Sequence, residues 1–162
     1  MLQPLGALTV RACVDDDVPR LAEIFREAVA VIGPSDYSAT QVQAWLARVP
    51  SADVLAGRLG DGRKVWVLSD ARRCAFAFAD LEADGHIDLL YASPAIAGTG
   101  AVARLLAHLE AAARAAGMEC LHVEASAAAR RFFLKQGFAV LHRRTFEIGG
   151  VEIFNFAMEK RL

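Results

Sequence analysis

Cysteine is scarce in this chain of 162 residues, which has only Cys13, Cys74 and Cys120. The three are widely spaced, so they form none of the patterns that hold metal ions. Each lies in or beside an apolar run, where a cysteine behaves as a small hydrophobic residue. This usage predicts no metal site and indicates a reducing compartment, the cytoplasm.

The chain also lacks an excess of charge and a long apolar run. Its 18 basic and 19 acidic residues leave a formal net charge of −1. The chain therefore lacks the excess of positive charge that is typical of nucleic-acid-binding proteins. No apolar run reaches the roughly 18 residues that a membrane span requires. Residues 1–8 lack the basic segment and long apolar core of a signal peptide. We therefore expect neither a nucleic-acid partner nor a membrane partner.

Repeats, low-complexity segments and long linkers are absent from the sequence as well. Hydrophobic residues make up 55% of the chain and charged residues 23%, a composition typical of globular proteins. The length favours one domain and is sufficient for a hydrophobic core. We therefore expect a single domain over residues 1–162.

Hydrophobic periodicity predicts an alternation of strands and helices. The expected strands are Thr9–Ala12, Val65–Leu68, Cys74–Ala79, Ile87–Ala92, Leu121–Val123, and a closing hairpin of Val140–Ile148 and Val151–Met158. The expected helices are Val18–Ile32, Ser38–Val49, Ala101–Ala116 and Ala127–Gln136. The strand, helix and strand in the middle of this order require a right-handed parallel crossover.

The most informative segment joins the strand Ile87–Ala92 to the helix that begins near Ala101. Between them lie a proline-marked turn and two glycines, Gly98 and Gly100. Glycines allow an anion to approach the backbone, and a helix N-terminus presents free N–H groups and a positive dipole end. The arrangement points to a phosphate-bearing cofactor. The plainer alternative is a tight turn before a helix.

Two segments carry recognisable motifs. The first is Leu90–Gly100, LYASPAIAGTG, and the second is Glu124–Phe138, EASAAARRFFLKQGF, with its small residues, aromatic pair and Gly-Phe ending. Together they resemble the GCN5-related N-acetyltransferase (GNAT) family. The resemblance covers nearly the full length. It implies an α/β (α+β) fold with a mixed, mostly antiparallel sheet of six to seven strands, about four helices and a central parallel strand-loop-helix-strand crossover.

The resemblance also implies acetyl-coenzyme A as co-substrate, with no metal, bound where the fourth and fifth strands diverge. Its pantetheine arm is expected to pair with the backbone of Leu90 and Ala92. Its pyrophosphate is expected to lie on backbone N–H groups between Gly98 and Ala103. The cofactor-binding residues that follow from the resemblance are Leu90, Tyr91, Ala92, Gly98, Thr99, Gly100, Ala101, Val102, Ala103, Ser126 and Phe133.

The phosphate loop departs from the family pattern. The pattern has Gln or Arg, two residues, Gly, one residue, and then Gly or Ala, whereas this chain has Ala97, Gly100 and Val102 at those positions. Thr99 stands where the family commonly has Arg, so a charge-assisted contact is lost. The branched Val102 is expected to crowd the diphosphate. We therefore expect cofactor binding to survive through backbone donors and to be weak.

Two residues near the start of the fourth predicted strand are candidate catalytic groups. His86 lies eleven positions before Ala97, where several family members carry a Glu or His base. An imidazole has a suitable pKa for this role. Asp88 shares the strand face of His86 by the period of two, and could orient the imidazole, act through water or bind an amine. The plainer alternative is a surface histidine in an Asp-Gly-His turn.

The general acid and the acceptor pocket are less well defined by the sequence. Phe133 belongs to the aromatic pair in which the family often has a Tyr acid, which leaves that role to solvent, Ser126 or Tyr91. Core packing explains two tryptophans at least as well as substrate contact. The candidate acceptor-binding residues are Tyr37, Trp45 and Trp66.

The sequence leaves three functions open. The first is an N-acetyltransferase that moves an acetyl group from acetyl-coenzyme A to an amine of a small molecule or peptide by direct attack. The second is a degenerate, non-catalytic acyl-coenzyme A binding or regulatory module, and the third is an inert scaffold. The acceptor amine and the oligomeric state are open, although family members often form homodimers.

Overall fold

The computed structural model describes residues 7–162, in which eight β-strands and five α-helices form two four-stranded sheets covered by helices. The strands are β1 (Thr9–Ala12), β2 (Lys64–Ser69), β3 (Ala75–Leu81), β4 (His86–Ile87), β5 (Leu90–Ala92), β6 (Cys120–Ala125), β7 (Ala139–Ile148) and β8 (Val151–Arg161). The helices are α1 (Val18–Glu27), α2 (Ala39–Leu46), α3 (Ala52–Leu59), α4 (Ala101–Ala115) and α5 (Ala127–Lys135). None of these helices is long and apolar enough to span a membrane.

The two sheets have different strand directions. The first sheet has the order β1-β2-β3-β5 and is antiparallel throughout, whereas the second has the order β4-β6-β8-β7 with β4 parallel to β6. The chain runs from β4 through β5 and α4 to β6, which is parallel to β4, so the parallel crossover predicted from the sequence is confirmed. The predicted fold class is confirmed too, with eight strands instead of six or seven and five helices instead of about four among residues 7–162.

The predicted strand Ile87–Ala92 is broken, and this is the main correction to the sequence-based elements. Its first part, β4, pairs with β6, and its second part, β5, pairs with β3 in the other sheet. Asp88 and Leu89, between them, belong to neither strand. A mostly apolar run with a single charged residue, Asp88, carries no periodicity signal for such a break. The sheets therefore separate between β5 and β6, and the separation opens a cleft.

The N-terminal helices also differ from the prediction. The first predicted helix continues from α1 as a π-helical segment, Ala28–Ile32, followed by a 3-10 turn. The capping box predicted at Ser38 is confirmed, because its hydroxyl accepts the N–H of Gln41 at 3.1 Å. Helix α3 was not predicted, although Ser51 caps it and its own residue Leu55 is fully buried.

Two apolar clusters hold the fold together, one on each side of the sheets. The cluster under α1 and α3 contains Leu21, Ile24, Leu55 and Phe78. The cluster under α4 contains Leu105, Leu109, Ile87 and Leu121. Residues of both clusters line the cleft, which lies between them.

Candidate functional site

A cleft of about 460 Å³ lies where β5 and β6 diverge. Its walls come from β5, the loop before α4, the first turns of α5, and the segment that joins α1 to α2. Eight of the residues predicted to contact cofactor or acceptor line it: Tyr37, Trp45, Leu90, Tyr91, Ala92, Gly98, Val102 and Ser126. The structure therefore brings together the two resembling segments and two of the three candidate acceptor-binding residues, Tyr37 and Trp45.

Strand β5 leaves one backbone edge open toward the cleft. The N–H of Ser93 donates to β3 at 2.7 Å, and the C=O of Leu89 accepts an N–H from β3 at 3.0 Å. Backbone groups alternate in direction along an antiparallel pair, so those of Leu90 and Ala92 point away from β3. An extended chain laid along this edge has two residues with which to pair.

The loop before α4 has space and donors for an anion. Gly98 and Gly100 have φ values of 73° and 77°, and a Cβ built at either would meet nothing within 4 Å. Within residues 7–162 no acceptor meets the backbone N–H groups of Gly98, Gly100, Val102 and Ala103. Because these groups open a 15-residue helix, the dipole of α4 adds to their attraction for a phosphate.

Thr99 uses one of the donors that the resemblance assigned to the pyrophosphate. Its hydroxyl donates to the C=O of Ile96 at 2.7 Å and accepts the N–H of Ala101 at 3.3 Å. The Ala101 side chain is buried, whereas Val102 is half-buried and lines the cleft. The Thr99 side chain thus stabilises the conformation of the loop, at a position where the family commonly has an arginine that contacts the ligand.

The segment between α1 and α2 forms the roof of the cleft. The π-helical turn Ala28–Ile32 contributes three of the lining residues. The buried Tyr37 hydroxyl donates to the C=O of Phe154 and accepts the N–H of Ala127, each at 3.0 Å. Tyr37 also packs edge-on against Trp45, with ring centroids 5.2 Å apart. The roof is therefore tied to both β8 and the N-terminus of α5.

An ion pair connects the roof to α5 at the lining of the cleft. Asp36 accepts two hydrogen bonds from Arg131, at 2.7 and 2.8 Å, and both residues line the cleft. The Arg131 guanidinium lowers the pKa of Asp36. A cation therefore lies where a bound phosphate could compete with Asp36 for it.

Six predicted contact residues are not part of the cleft lining: Thr99, Gly100, Ala101 and Ala103 belong to the adjoining loop and the first turn of α4, and Trp66 and Phe133 lie elsewhere in the fold. Trp66, on β2, packs edge-on against His108 of α4 with centroids 5.6 Å apart. Phe133 is 1% exposed and packs against Phe138 in the core. Phe132 lines the cleft instead. The aromatic pair in the sequence did not show which ring faces the ligand.

His86 and Glu124 lie where the strands β4 and β6 stop pairing, a point that we name the vertex. Pairing ends at Val123, so Glu124 is the first residue of β6 beyond it. Nε2 of His86 is 2.6 Å from a carboxylate oxygen of Glu124, and Nδ1 is 2.9 Å from one of Glu82. Neither carboxylate was predicted from the sequence, although Glu82 lies only four positions before His86, across the Asp-Gly turn.

The two carboxylates control the charge of His86. Burial acts to lower the pKa of His86, but the hydrogen bonds to Glu124 and Glu82 outweigh burial and raise the pKa above its usual value. The imidazole also stacks on His122, with centroids 4.9 Å apart. His86 is therefore a histidine whose two ring nitrogens are both engaged by acids.

Asp88 is held by arginines rather than by His86. Its carboxylate accepts hydrogen bonds from Nε of Arg58 and Nη1 of Arg63, each at 2.8 Å. Burial acts to raise the pKa of Asp88, but the two guanidinium groups outweigh it and lower the pKa. Nη1 of Arg63 also lies 3.8 Å from a carboxylate oxygen of Glu82. The Arg63 guanidinium therefore places a positive charge near the carboxylates of both Asp88 and Glu82.

The comparisons with known proteins agree with this geometry. The family model described as an acetyltransferase (GNAT) domain matches residues 34–161. No curated protein matches the sequence. A GCN5-related N-acetyltransferase from Rhodopseudomonas palustris, also described as a class-II aminotransferase, is 30% identical, with a TM-score of 0.87 over 99% of each chain.

Two more distant structures share the fold and contain a bound cofactor. The PaiA N-acetyltransferase of Thermoplasma acidophilum, in complex with coenzyme A, is 19% identical, with a TM-score of 0.76 over 96% of this chain and 99% of its own. A phosphinothricin acetyltransferase of Sinorhizobium meliloti, in complex with acetyl-coenzyme A, is 23% identical, with a TM-score of 0.72 over 96% of this chain and 88% of its own. The chain belongs to the GNAT acetyltransferase family.

Proposed function

We propose that this protein transfers the acetyl group of acetyl-coenzyme A to an amine of a small molecule or peptide by direct attack. The observation that carries the proposal is a path along the cleft from the free N–H groups of α4 to the open edge of β5. The vertex residues do not line the cleft, but Glu124 stands two positions before Ser126 and His86 stands four positions before Leu90, both of which do. We place the reacting end of the ligand there. Coenzyme A has the same order of parts: a diphosphate, an extended arm with amide groups, and a thiol end.

Each part of the path has a defined role. The N–H groups of Gly98, Gly100, Val102 and Ala103 bind the diphosphate, whereas the N–H of Ala101 donates to the Thr99 hydroxyl and the N–H of Thr99 donates to the C=O of Ile96. The backbone of Leu90 and Ala92 binds the arm as an added strand would. Acetyl-coenzyme A supplies the activated acetyl group as a thioester. The related structures that contain coenzyme A or acetyl-coenzyme A support this assignment.

The amine must lose a proton before it attacks, and the vertex provides the acceptor. His86 and Glu124 share a short hydrogen bond there, and Glu82 receives the other side of the imidazole. Glu124 takes a proton from the amine, and His86 releases a proton through Glu82 to solvent. The number of protons held at the vertex therefore stays the same. The amine nitrogen then forms the new bond to the acetyl carbon, the carbon–sulfur bond breaks, and the second proton that the nitrogen loses ends on the sulfur of coenzyme A.

Ser126 is suited to the leaving thiolate. Its hydroxyl oxygen accepts the N–H of Ala129 at 3.2 Å, which leaves the hydroxyl proton free to donate. Ser126 lines the cleft, whereas Phe133 is buried and has no proton to give. We assign the hydrogen bond to the departing sulfur to Ser126.

A non-catalytic acyl-coenzyme A binding module is the second candidate. Two observations favour it: Asp88 is neutralised by two arginines, and Thr99 replaces a cationic phosphate contact. Both candidates fit a cytoplasmic protein, because Cys13, Cys74 and Cys120 are all free. They differ in that the transferase turns over acetyl-coenzyme A with an amine, whereas the module only binds acyl-coenzyme A.

Calorimetric titration with acetyl-coenzyme A, followed by detection of released thiol over a panel of amines, separates the candidates. The transferase binds acetyl-coenzyme A and releases thiol with at least one amine. Binding without thiol release across the panel supports the module, and no binding at millimolar concentration rejects both. In the transferase, His86→Gln lowers turnover by about 10² with unchanged coenzyme A affinity. Asp88→Asn is the matched control: a larger loss there would move the proton-transfer role to Asp88.

A further inference from the structure

One buried carboxylate accounts for the break between β4 and β5. Oδ1 of Asp80, on β3, accepts the N–H of Asp88 at 2.9 Å and the N–H of Leu89 at 2.8 Å. These are the two residues that belong to neither strand. The Asp80 N–H also donates to the C=O of Leu89 at 3.0 Å. A single side chain thus satisfies both donors that leave the regular strand pairing at this point.

Asp80 is 0% exposed, so its charge requires a partner. Oδ2 of Asp80 accepts a hydrogen bond from Nη1 of Arg63 at 2.6 Å, and the Arg63 side chain is 7% exposed. The same Nη1 donates to Asp88 at 2.8 Å. Arg63 therefore neutralises the carboxylate that holds the break and also holds one of the two residues within it.

The break is what turns one edge of β5 toward the cleft. A continuous strand from His86 to Ala92 would keep β5 beside β6 and use the backbone groups of Leu90 and Ala92 in the sheet. Irregular backbone at such a point leaves N–H groups that must find another acceptor when buried. Asp80 supplies that acceptor on the strand that β5 joins next.

We propose that Asp80, neutralised by Arg63, is a positioning residue that fixes the break between β4 and β5 and thereby sets the affinity of the cleft for coenzyme A. The proposal rests on the proposed function for the identity of the ligand. It assigns Asp88 to the same buried network rather than to proton transfer. Nothing in it requires Asp80 to touch the ligand.

The test compares Asp80→Ala with Glu110→Ala. Glu110 is a matched control because it is also buried and ion-paired, with Lys160 at 2.7 Å, but it connects α4 to β8 away from the cleft. Calorimetry with coenzyme A is run at a temperature at which circular dichroism shows every variant folded. We expect the Kd of Asp80→Ala to rise about tenfold or more and that of Glu110→Ala to stay within about twofold.

Amide hydrogen exchange gives a readout that does not depend on the ligand. In Asp80→Ala the N–H groups of Asp88 and Leu89 exchange faster, because they have lost their acceptor. In Glu110→Ala their exchange is unchanged. A wild-type protein that binds no coenzyme A contradicts the proposed function alone, and the exchange of Asp88 and Leu89 then decides whether Asp80 holds the break.

The proposal is overturned if folded Asp80→Ala keeps coenzyme A affinity within twofold of wild type, or if exchange at Asp88 and Leu89 is unchanged. If Asp80→Ala does not fold, Asp80→Asn replaces it, with Glu110→Gln as control. Asparagine keeps an oxygen for the two N–H groups but loses the charge that Arg63 pairs with. We expect a smaller rise in Kd, about threefold. An equal Kd in Asp80→Asn and Glu110→Gln overturns the proposal.

Discussion

Tyr37→Phe removes one oxygen atom from the roof of the cleft and leaves the aromatic ring in place. The hydroxyl makes two hydrogen bonds of 3.0 Å, to Ala127 and to Phe154, which lie 90 and 117 residues away in the chain. Each net bond contributes about 1–1.5 kcal/mol, and its partner is left without a protein donor or acceptor. We expect the free energy of unfolding to fall by about 2–3 kcal/mol.

Urea unfolding followed by circular dichroism measures this change. With an m-value of about 2 kcal/mol/M, the midpoint shifts down by about 1–1.5 M. Tyr91→Phe is the matched control, because within residues 7–162 the Tyr91 hydroxyl has no hydrogen-bond partner, and its midpoint stays nearly unchanged. A Tyr37→Phe variant as stable as wild type, with a raised KM for the acceptor amine, would refute this reasoning and favour the substrate-contact role predicted from the sequence.

Three further predictions concern the loop, the vertex and the roof. Val102→Gly tightens coenzyme A binding by calorimetry, despite a helix-propensity cost of about 1 kcal/mol, if the branched side chain crowds the diphosphate; unchanged or weaker binding refutes the crowding. The stability advantage of wild type over His86→Gln is fully present below about pH 6.5 and is lost as the pH rises through the raised folded-state pKa; urea midpoints that differ equally at pH 6 and pH 9 contradict this. Asp36→Asn lowers the free energy of unfolding by less than about 1 kcal/mol, because the Arg131 side chain is 55% exposed. It also tightens coenzyme A binding at low salt, because it frees Arg131. Weaker binding would indicate instead that the ion pair shapes the cleft.

The elements with a strong periodic pattern could be predicted from the sequence. Helix α4 and the β7–β8 hairpin have regular apolar positions and glycine boundaries, and both are within a few residues of the prediction. Helix α3 was missed because it is short and follows Pro50, where the preceding helix had been expected to end. Local patterns predict local structure well when the element is long.

The candidate site was predictable only where local sequence determines it. The glycine loop and the residues of β5 were identified from neighbouring positions in the chain. The break at Asp88 and Leu89 depends on Asp80, eight and nine positions away, and the partner of His86 on β6 lies 38 positions away. No pattern in a single sequence pairs such residues, because strand order and register bring them together.

The central claim is that the arm of coenzyme A pairs with the open edge of β5. Amide hydrogen exchange, resolved by residue and measured with and without acetyl-coenzyme A, tests it directly. We predict that the ligand slows exchange at Leu90 and Ala92 by about tenfold or more, while Tyr91, which already faces β3, changes little. Unaltered exchange at Leu90 and Ala92 in a protein saturated with acetyl-coenzyme A would contradict the claim.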